Sequence, residues 1–502
     1  MACQPRPVEQ SRLAFVVALG DCMRLRAGLA AICAGFTLGA CATSASPTST
    51  SRLQPADAFS ADPYPSTYVP RAYAPVLIRG ATVFDGAGAE LADTDVLFQQ
   101  AHIVAVGPHL AAPPGAEIVD GRGKFVTPGI IDPHSHLGVY PSPSIAATQN
   151  GNELTRPNTA DVWAEHSIWP MDPGFSRAVA GGVTTMHILP GSGNLFGGRG
   201  VTIHPILGAR TTQDMTFPGA PQSLKMACGE NPARVYGDRH EFPSTDMGNI
   251  AGWRQAFLDA QHYQQDWDRY LTRQRAAAHQ RPGQSGGEPP APPARNLQME
   301  TLVGVMRGDI IVQMHCYRSD QMATAIDLSH EFGFHIAAFH HAVEAYKIAD
   351  LLAREHVCAA MWADWWGFKL EAYDGIRENI AFVHARGACA MVHSDSPVGI
   401  QRLNQEAAKA LADGRRAGIN IGRAEAWTWL SRNPARALHI DQRTGVLAPA
   451  MDADVVVWSA DPLSSYAVAE RVYIDGALIY ERGRSRDPLS DFELGQTYEE
   501  RR

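Results

Sequence analysis

The sequence lacks several features that would assign it to a common functional class. It has no basic patch with interleaved aromatic residues, and a mild net charge of −9 is spread over 502 residues. Nothing therefore favours a nucleic-acid partner. The glycine-rich stretch PGSGNLFGGRG, at 190–200, is neither a Walker loop nor a dinucleotide-binding fingerprint. What remains is a globular composition, with 45% apolar and 19% charged residues, in a chain long enough for a barrel-sized domain and a smaller one.

Cysteine is scarce in the body of the chain. Only four of the eight cysteines follow residue 41, namely Cys228, Cys316, Cys358 and Cys389. All four have apolar or strand-like neighbours in the sequence. We interpret them as small buried hydrophobic residues and not as a disulfide framework.

The apolar run near the N-terminus is too short to span a bilayer comfortably. It extends over 27–40 and follows two arginines, Arg24 and Arg26, as the apolar segment of a secretory signal peptide does. Met23 is an alternative translation start, because the first ten residues are unlike the positively charged beginning of such a peptide. We therefore predict a signal peptide over 1–40 and an exported protein.

The end of the signal peptide, LGAC at 38–41, resembles the lipobox of bacterial lipoproteins. In that family the cysteine becomes the lipidated first residue, which implies lipidation at Cys41. Ala42, in place of aspartate, implies a periplasm-facing outer-membrane lipoprotein in the bacterial cell envelope. The alternative is an ordinary cleaved signal peptide.

The remaining chain divides by composition and strand pattern. Short predicted strands near both ends suggest one small β-domain built from both, and a Pro/Gly-rich stretch interrupts the middle. The predicted segments are a flexible linker (41–73), the N-terminal part of the β-domain (74–127), the central domain (128–430, with an insertion at 281–295), the C-terminal part of the β-domain (431–485) and a tail (486–502).

The central segment alternates strands and helices. Apolar runs of strand length, such as DIIVQMHC at 309–316, are followed by predicted helices at 319–333, 342–356 and 374–387. Buried strands that alternate with helices favour a parallel sheet. Over about 300 residues this pattern is consistent with an α/β fold of the (β/α)8 barrel type.

Polar residues recur where the predicted strands end, which is the functional face of such a barrel. His134 and His136 lie two apart in TPGIIDPHSHLGVY (127–140), so they point to the same side of a strand and suit a metal ion. If this pair is considered without the rest of the chain, the alternative is that both are solvated polar residues at a strand end. The full set of strand-end groups is His134, His136, Glu230, His315, His341 and Asp395.

TPGIIDPHSHLG resembles the first-strand signature of the amidohydrolase superfamily, PG-x-ID-x-H-x-H. The strand pattern of both chain ends is similar to the imidazolonepropionase-like and N-acetylglucosamine-6-phosphate-deacetylase-like branches, and the match extends over 74–485. The resemblance implies a (β/α)8 barrel with a small β-sandwich formed from both chain ends. It also implies a divalent metal, expected to be zinc, as one or two ions.

The resemblance further implies a role for each ligand. His134 and His136 would bind one metal, and His315 and His341 a second. Asp395 would bind the first metal and act as general acid and base. The bridging ligand is open between Lys225 and Glu230, because family members use either a carboxylated lysine or a glutamate. We prefer Glu230, which lies nearer the predicted strand end.

Several other polar residues have two interpretations. His340 is adjacent to His341, and either could be the ligand. Asn194 and Arg199, in the glycine-rich stretch taken as a loop at the substrate edge, are candidate substrate contacts. His393 is a third candidate substrate contact. Its alternative role is that of a core residue whose polar atoms have hydrogen-bond partners.

These patterns predict a metal-dependent hydrolase that cleaves a C–N bond of an amide, cyclic amide or peptide-like small molecule. The alternatives are a single-metal enzyme of the imidazolonepropionase or deaminase type and a catalytically silent binding protein on the same barrel. The retained ligand set argues against the silent protein. The predicted partners are a small-molecule substrate and, through the lipid anchor, a membrane, but no nucleic acid.

Overall fold

The computed structural model describes residues 62–484, apart from 143, 279–290 and 366. The predicted signal peptide, Cys41, most of the linker, the tail and most of the 281–295 insertion lie outside these residues. None of the helices within the described ranges is both long and apolar enough to cross a membrane.

Sixteen strands occur in the described residues, and their chain order already separates the two ends from the middle. They are β1 (Val76–Phe84), β2 (Glu90–Gln99), β3 (His102–Gly107), β4 (Glu117–Asp120), β5 (Phe125–Pro128), β6 (Ile130–Ser135), β7 (Val183–Ile188), β8 (Phe196–Ile203), β9 (Ser223–Ala227), β10 (Ile311–Cys316), β11 (Ile336–His341), β12 (Cys358–Met361), β13 (Ala390–Val392), β14 (Val455–Trp458), β15 (Ala469–Ile474) and β16 (Ala477–Glu481).

The described α-helices connect or cover these strands. They are α1 (Pro173–Ala180), α2 (Glu230–Gly237), α3 (Asp246–Ala278), α4 (Leu297–Arg307), α5 (Ser319–Phe332), α6 (Ala349–Arg354), α7 (Asn379–Ala385), α8 (Leu403–Arg416), α9 (Arg423–Trp427) and α10 (Arg432–Ala437). The helix predicted at 319–333 is confirmed, with Gly333 ending it in the left-handed conformation that glycine tolerates. The helices predicted at 342–356 and 374–387 are shorter than predicted. The first is a 3-10 turn (Ala345–Ile348) followed by α6, and the second is reduced to α7.

Strands from the two chain ends join in one sheet. Its order is β16-β15-β14-β5-β1-β2-β3, and β4 also pairs with β1. The antiparallel pairing of β14 with β5 links residue 455 to residue 128 and so brings the two ends of the chain together. This sheet has its own apolar cluster, which includes Val76, Ile78 and Val455.

The central strands form a second sheet of eight, in the order β13-β12-β11-β10-β9-β8-β7-β6, surrounded by helices. Its first and last strands are joined where the N–H of Asp395, which follows β13, donates to the carbonyl of His134 on β6 at 3.0 Å. The sheet is therefore a nearly closed barrel of the TIM-like α/β type, as predicted.

One strand departs from the parallel pattern. β8 is antiparallel to both β7 and β9, because the short connection after β7 contains no crossover helix and turns the chain back as a hairpin does. The interpretation of the whole 190–200 stretch as a loop is therefore wrong, since Phe196–Gly200 belongs to β8 and is buried.

The interpretation of the four cysteines as unpaired core residues is also wrong. Cys228 is bonded to Cys316, and Cys358 to Cys389. Each disulfide joins neighbouring barrel strands, the first near the carboxyl ends of β9 and β10 and the second near the amino ends of β12 and β13. Pairs that are 88 and 31 residues apart become neighbours only through the barrel topology, so their spacing gave no signal.

Candidate metal centre

The site lies at the carboxyl ends of the barrel strands and is held together by a buried carboxylate. Asp132, on β6, accepts hydrogen bonds from the backbone N–H and the hydroxyl of Ser394, which follows β13. Asp132 also accepts from the His134 N–H. Burial raises the pKa of Asp132 to about 7, against the lowering effect of these bonds. Asp132 thus joins the first and last strands and aligns the residues that follow it.

A chain of hydrogen bonds sets the tautomer of His134. The Gln313 amide N–H donates to the Ala437 carbonyl, so its oxygen is left as the acceptor for His340 Nε2 at 2.7 Å. His340, donating from Nε2, accepts at Nδ1 from His134 Nδ1, 3.0 Å away. His134 therefore carries its proton on Nδ1 and presents the Nε2 lone pair to the site.

His136 is oriented in the same way by the backbone. Its Nδ1–H donates to the Leu189 carbonyl at 2.7 Å, which leaves the Nε2 lone pair free. The Nε2 atoms of His134 and His136 are 3.3 Å apart. Two lone pairs at this distance repel one another unless a cation lies between them. The separation matches two nitrogen ligands of a single tetrahedral ion at about 2.0–2.1 Å from each.

Asp395 completes this first group. Its Oδ1 lies 3.1 Å from His136 Nε2 and 3.5 Å from His134 Nε2. The ligand atoms of these three residues all lie within 4.8 Å of one another. Burial alone would raise the pKa of Asp395, but the charges of neighbouring groups, among them Lys225, hold the pKa below its ordinary value. The carboxylate is therefore ionised and suited to bind a cation.

Lys225 reaches the same group from β9. Its side chain is fully buried, and Nζ lies 3.3 Å from His134 Nε2 and 3.1 Å from the Pro190 carbonyl. Burial lowers the pKa of Lys225 to about 7, against the opposing charge of Asp395. A neutral amine is thus accessible at neutral pH.

Glu230, our preferred bridging ligand, is paired with Lys369 and with no histidine among the described residues. It is the first residue of α2, and its carboxylate is 3.1 Å from Lys369 Nζ. Its backbone N–H donates to Glu371 Oε1 at 2.9 Å. The strand ends at Ala227, and the turn through Gly229 directs Glu230 toward the segment around Lys369.

His315 and His341 form a second group of ligand-type side chains. Their ring centroids are 4.5 Å apart, and both rings are buried. Nδ1 of each has no hydrogen-bond partner among the described residues. Burial lowers the pKa of both well below the ordinary value, so both rings are neutral. His315 Nε2 accepts from the Asn231 amide at 3.2 Å, so a metal that binds this nitrogen would displace that hydrogen bond.

His340 and His393 support the neighbouring histidines. His340 already uses both ring nitrogens, whereas His341 keeps Nδ1 free, which favours His341 as the ligand of this adjacent pair. His393 Nε2 accepts the His341 backbone N–H at 3.1 Å, and its Nδ1 has no partner among the described residues. The ligand atoms of His134, His341 and His393 lie within 4.8 Å of one another.

The two candidate substrate contacts from the glycine-rich stretch have other partners. Asn194 is buried and donates to the carbonyls of Glu153 and Arg156. Arg199, also buried, donates to Thr301 on α4 and lies 4.3 Å from the centroid of the Trp163 ring. Both therefore hold the barrel wall together, and their role as substrate contacts stays a prediction.

Sequence reasoning missed three residues that shape the site, Asp132, Gln313 and Tyr317. Asp132 is part of the quoted first-strand motif, so its position was available as a signal. Gln313 lies two residues before His315 on β10 and faces the same side. Tyr317 stacks on His341, with ring centroids 5.2 Å apart, and has no local sequence signature.

Comparison with known proteins finds two amidohydrolases and a dihydropyrimidinase among the relatives. No family model matches the chain. The crystal structure of an amidohydrolase from Thermotoga maritima MSB8 is 34% identical, matches 81% of this chain and all of that one, and gives a TM-score of 0.70. The amidohydrolase tasK of Hapsidospora irregularis is 32% identical over 407 residues, which is 77% of this chain but 40% of that protein. A dihydropyrimidinase of Arabidopsis thaliana is 36% identical over 126 residues, 24% of this chain and 19% of that protein. The chain thus spans less than half the length of these two curated relatives.

Proposed function

Because the chain belongs to the amidohydrolase superfamily, we propose that it is a metal-dependent hydrolase of a carbon–nitrogen bond. Its substrate is a small molecule with an amide, cyclic amide or peptide-like bond. The observation that carries the proposal is the meeting of buried, oriented ligand-type side chains at one end of the barrel, with the lone pairs of His134 and His136 facing each other across 3.3 Å.

We assign the ligands in two groups. His134, His136 and Asp395 hold one divalent ion, and His315 and His341 hold the second. Neutral imidazoles and a carboxylate suit zinc, which we propose as the metal. When bound, such ions supply Lewis acidity that polarises a carbonyl and lowers the pKa of a water molecule.

The chain's own residues supply the proton transfer. Asp395 is ionised and about a quarter exposed, so it can accept a proton from water on the open side of the site. The same carboxyl group then donates that proton to the leaving nitrogen, as general acid catalysis requires. Its Oδ1 lies 3.1 Å from His136 Nε2, so the two ligand atoms face the same position.

Lys225 is our proposed bridging residue, in place of Glu230. Its amine has a pKa of about 7 and lies against His134. A neutral amine adds to carbon dioxide through a new N–C bond and loses one proton, which gives a carbamate with one negative charge. That charge offsets part of the positive charge of two divalent ions, whereas Glu230 is already paired with Lys369.

Export to the bacterial envelope remains our proposal, with lipidation at Cys41. The two disulfides support it, because disulfides persist in oxidising compartments and are rare in the cytosol. We also propose that the sheet built from both ends is a β-sandwich, since it encloses an apolar cluster separate from that of the barrel.

Metal content by elemental mass spectrometry tests this function. We expect about two zinc ions per wild-type chain and a loss of metal in Lys225→Ala. Glu230→Ala is the matched control, a neighbouring acidic residue outside the ligand set, and should keep both ions. In wild type, carbon-13 bicarbonate should also give a carbamate resonance that Lys225→Ala lacks.

Other outcomes discriminate between the alternatives. One ion that neither substitution affects would support the single-metal imidazolonepropionase or deaminase type. No metal after growth and purification with excess zinc would contradict the proposal and favour a silent binding protein.

A further inference from the structure

A cavity of about 410 Å³ opens beside the metal centre and has mostly aromatic walls. It is lined by Tyr317, Trp362, Asp364, Trp365, Phe368 and Asp395. Asp395 is the group this cavity shares with the proposed metal ligands. A molecule that occupies the cavity therefore has one end at the reacting carboxylate. The volume is that of a pocket for a small ligand.

The aromatic wall is continuous from the metal centre to the surface. The ring of His341 stacks on Trp362, with centroids 4.4 Å apart, and Trp362 stacks on Trp365 at 5.1 Å. Phe368 meets Trp362 edge to face at 5.8 Å. Trp365 is 40% and Phe368 55% exposed, so large apolar rings face solvent at the cavity mouth. Such exposure in a cleft is typical of a ligand-binding surface.

The lysines near this cavity are already neutralised. Lys369 lies 3.1 Å from Glu230 and 3.6 Å from Glu371, and its Nζ is over the Tyr317 ring at 3.9 Å. Lys409 bonds both carboxylate oxygens of Asp364 at 2.9 Å. A carboxylate entering the cavity would thus find no unpaired lysine among the described residues around it.

From this arrangement we infer that the cavity binds a neutral aromatic or bulky apolar group of the substrate, next to the scissile carbonyl. This inference rests on the proposed function and narrows its substrate class. The aromatic wall disfavours small polar amides, and the lack of an unpaired lysine among the described residues of the wall disfavours anionic ones. Trp365 and Phe368 are the specificity-determining residues, because they line the cavity without contacting the metal ligands directly.

The Lys369 ion pairs hold the aromatic segment in place. Lys369 Nζ forms an ion pair with Glu230 of α2 and donates a hydrogen bond to Asn231 Oδ1 at 2.9 Å. The segment that carries Phe368 is therefore tied to the helix after β9. A second hydrogen bond links the same two segments, because the Glu230 backbone N–H donates to Glu371 Oε1. Glu230 is therefore a positioning residue for the cavity wall, a role consistent with its pairing to Lys369.

Three hydroxamic acids test the inference, because the hydroxamate group chelates metal and the tail varies. The probes are acetohydroxamic acid, 3-phenylpropanohydroxamic acid and the anionic succinic monohydroxamic acid. Each is titrated by calorimetry into the zinc-loaded full chain. We expect the phenyl probe to bind at least about tenfold more tightly than acetohydroxamic acid, since it buries a phenyl ring. The succinic probe should bind no better than acetohydroxamic acid.

Matched substitutions locate the preference. Trp365→Ala and Phe368→Ala should each remove most of the phenyl preference and change acetohydroxamic acid binding by less than about twofold. Both residues are substantially exposed, so the fold should tolerate their truncation. Tyr373→Ala is the control, an aromatic residue of the same segment that is 72% exposed and outside the cavity wall. It should leave all three affinities unchanged.

The outcomes separate the two proposals. Equal binding of the phenyl and acetyl probes, or a phenyl preference that survives both cavity substitutions, overturns the inference while the metal-dependent function stands. Failure of all three probes to bind the zinc-loaded chain overturns the proposed function, and the substrate class with it.

Discussion

A group of histidines lies at each end of the barrel, and the two groups differ in their surroundings. At the amino ends of the strands, His335, His356, His384 and His439 line a cavity of about 470 Å³. His384 is satisfied on both sides, by Glu425 at 2.8 Å and by the Trp429 N–H at 3.1 Å. The other three are exposed.

At the carboxyl ends, the histidines are buried, apart from the half-buried His136, and their ring nitrogens converge. In the part of the chain that the structure describes, three-residue groups of ligand atoms within 4.8 Å occur at this end only. His315, His341 and His393 each keep an unpartnered ring nitrogen. The comparison teaches that the number of histidines does not identify a metal site. Burial combined with unsatisfied, converging nitrogens does, because a buried polar atom without a partner is costly.

The largest effect should come from removing a ligand at the carboxyl end. His136→Ala should lower metal content and reduce kcat/KM by more than about a hundredfold, because even indirect partners of metal ligands account for about 10–100-fold. Elemental mass spectrometry and hydrolysis of an amide substrate measure the two effects. His356→Ala, at the amino end, is the control and should change neither. A loss of metal in His356→Ala would remove the distinction between the two ends.

The hydrogen-bond chain behind His134 should have the next largest effect. Gln313→Leu removes the acceptor for His340 and so releases the tautomer of His134. We expect zinc affinity to fall by about 10–100-fold, measured by competition with a fluorescent chelator. Gln321→Leu, a surface-side amide bonded to Glu371, serves as the matched control. Unchanged affinity in Gln313→Leu would mean that the backbone alone orients His134.

The two disulfides sharpen the comparison, because one lies at each end of the barrel. Removing the Cys228–Cys316 bond should lower the free energy of unfolding by about 4–5 kcal/mol, and removing Cys358–Cys389 by about 3–4 kcal/mol, since the first closes the larger loop. Urea denaturation of the serine double variants measures both. Only loss of the first bond should also weaken metal binding, because Cys316 is adjacent to His315. Equal metal affinity in the two variants would contradict that coupling.

The smallest effect concerns the half-exposed ion pair at the amino end. Burial alone would raise the pKa of Glu425, but the His384 hydrogen bond holds it below the ordinary value. A lowered carboxyl pKa stabilises the folded state above the unfolded pKa, and this stabilisation is lost as the pH falls. Glu425→Gln should therefore cost about 0.2–1 kcal/mol at pH 7 and nothing at pH 3, by urea denaturation. A constant difference at both values would mean that the charge is irrelevant.

The sequence predicted the barrel and the positions of most strand-end groups. Alternating strands and helices indicate a barrel by themselves, and the i, i+2 spacing of His134 and His136 puts both on one face. The preference for Glu230 over Lys225 overlooked one signal, a lysine inside the apolar strand SLKMA. Burying an amine costs free energy, so such a lysine indicates a functional role.

Other features depend on contacts that the sequence pattern does not contain. The antiparallel strand β8 follows from a short connection whose geometry is set by glycines and tertiary packing. The disulfides depend on which strands become neighbours. The choice between His340 and His341 depends on Gln313, a partner 27 residues away from His340. Each is a consequence of strand order and register, which local periodicity does not specify.

The most direct test of the central claim is anomalous diffraction at the zinc edge from crystals of the zinc-loaded protein. The account predicts two peaks at the carboxyl end of the barrel. One should lie among His134, His136 and Asp395, and the other at His315 and His341, with Lys225 between them. No peak should lie at Glu230 or among the amino-end histidines. A peak bound by Glu230, or a zinc-loaded crystal without a peak at His134 and His136, would contradict it.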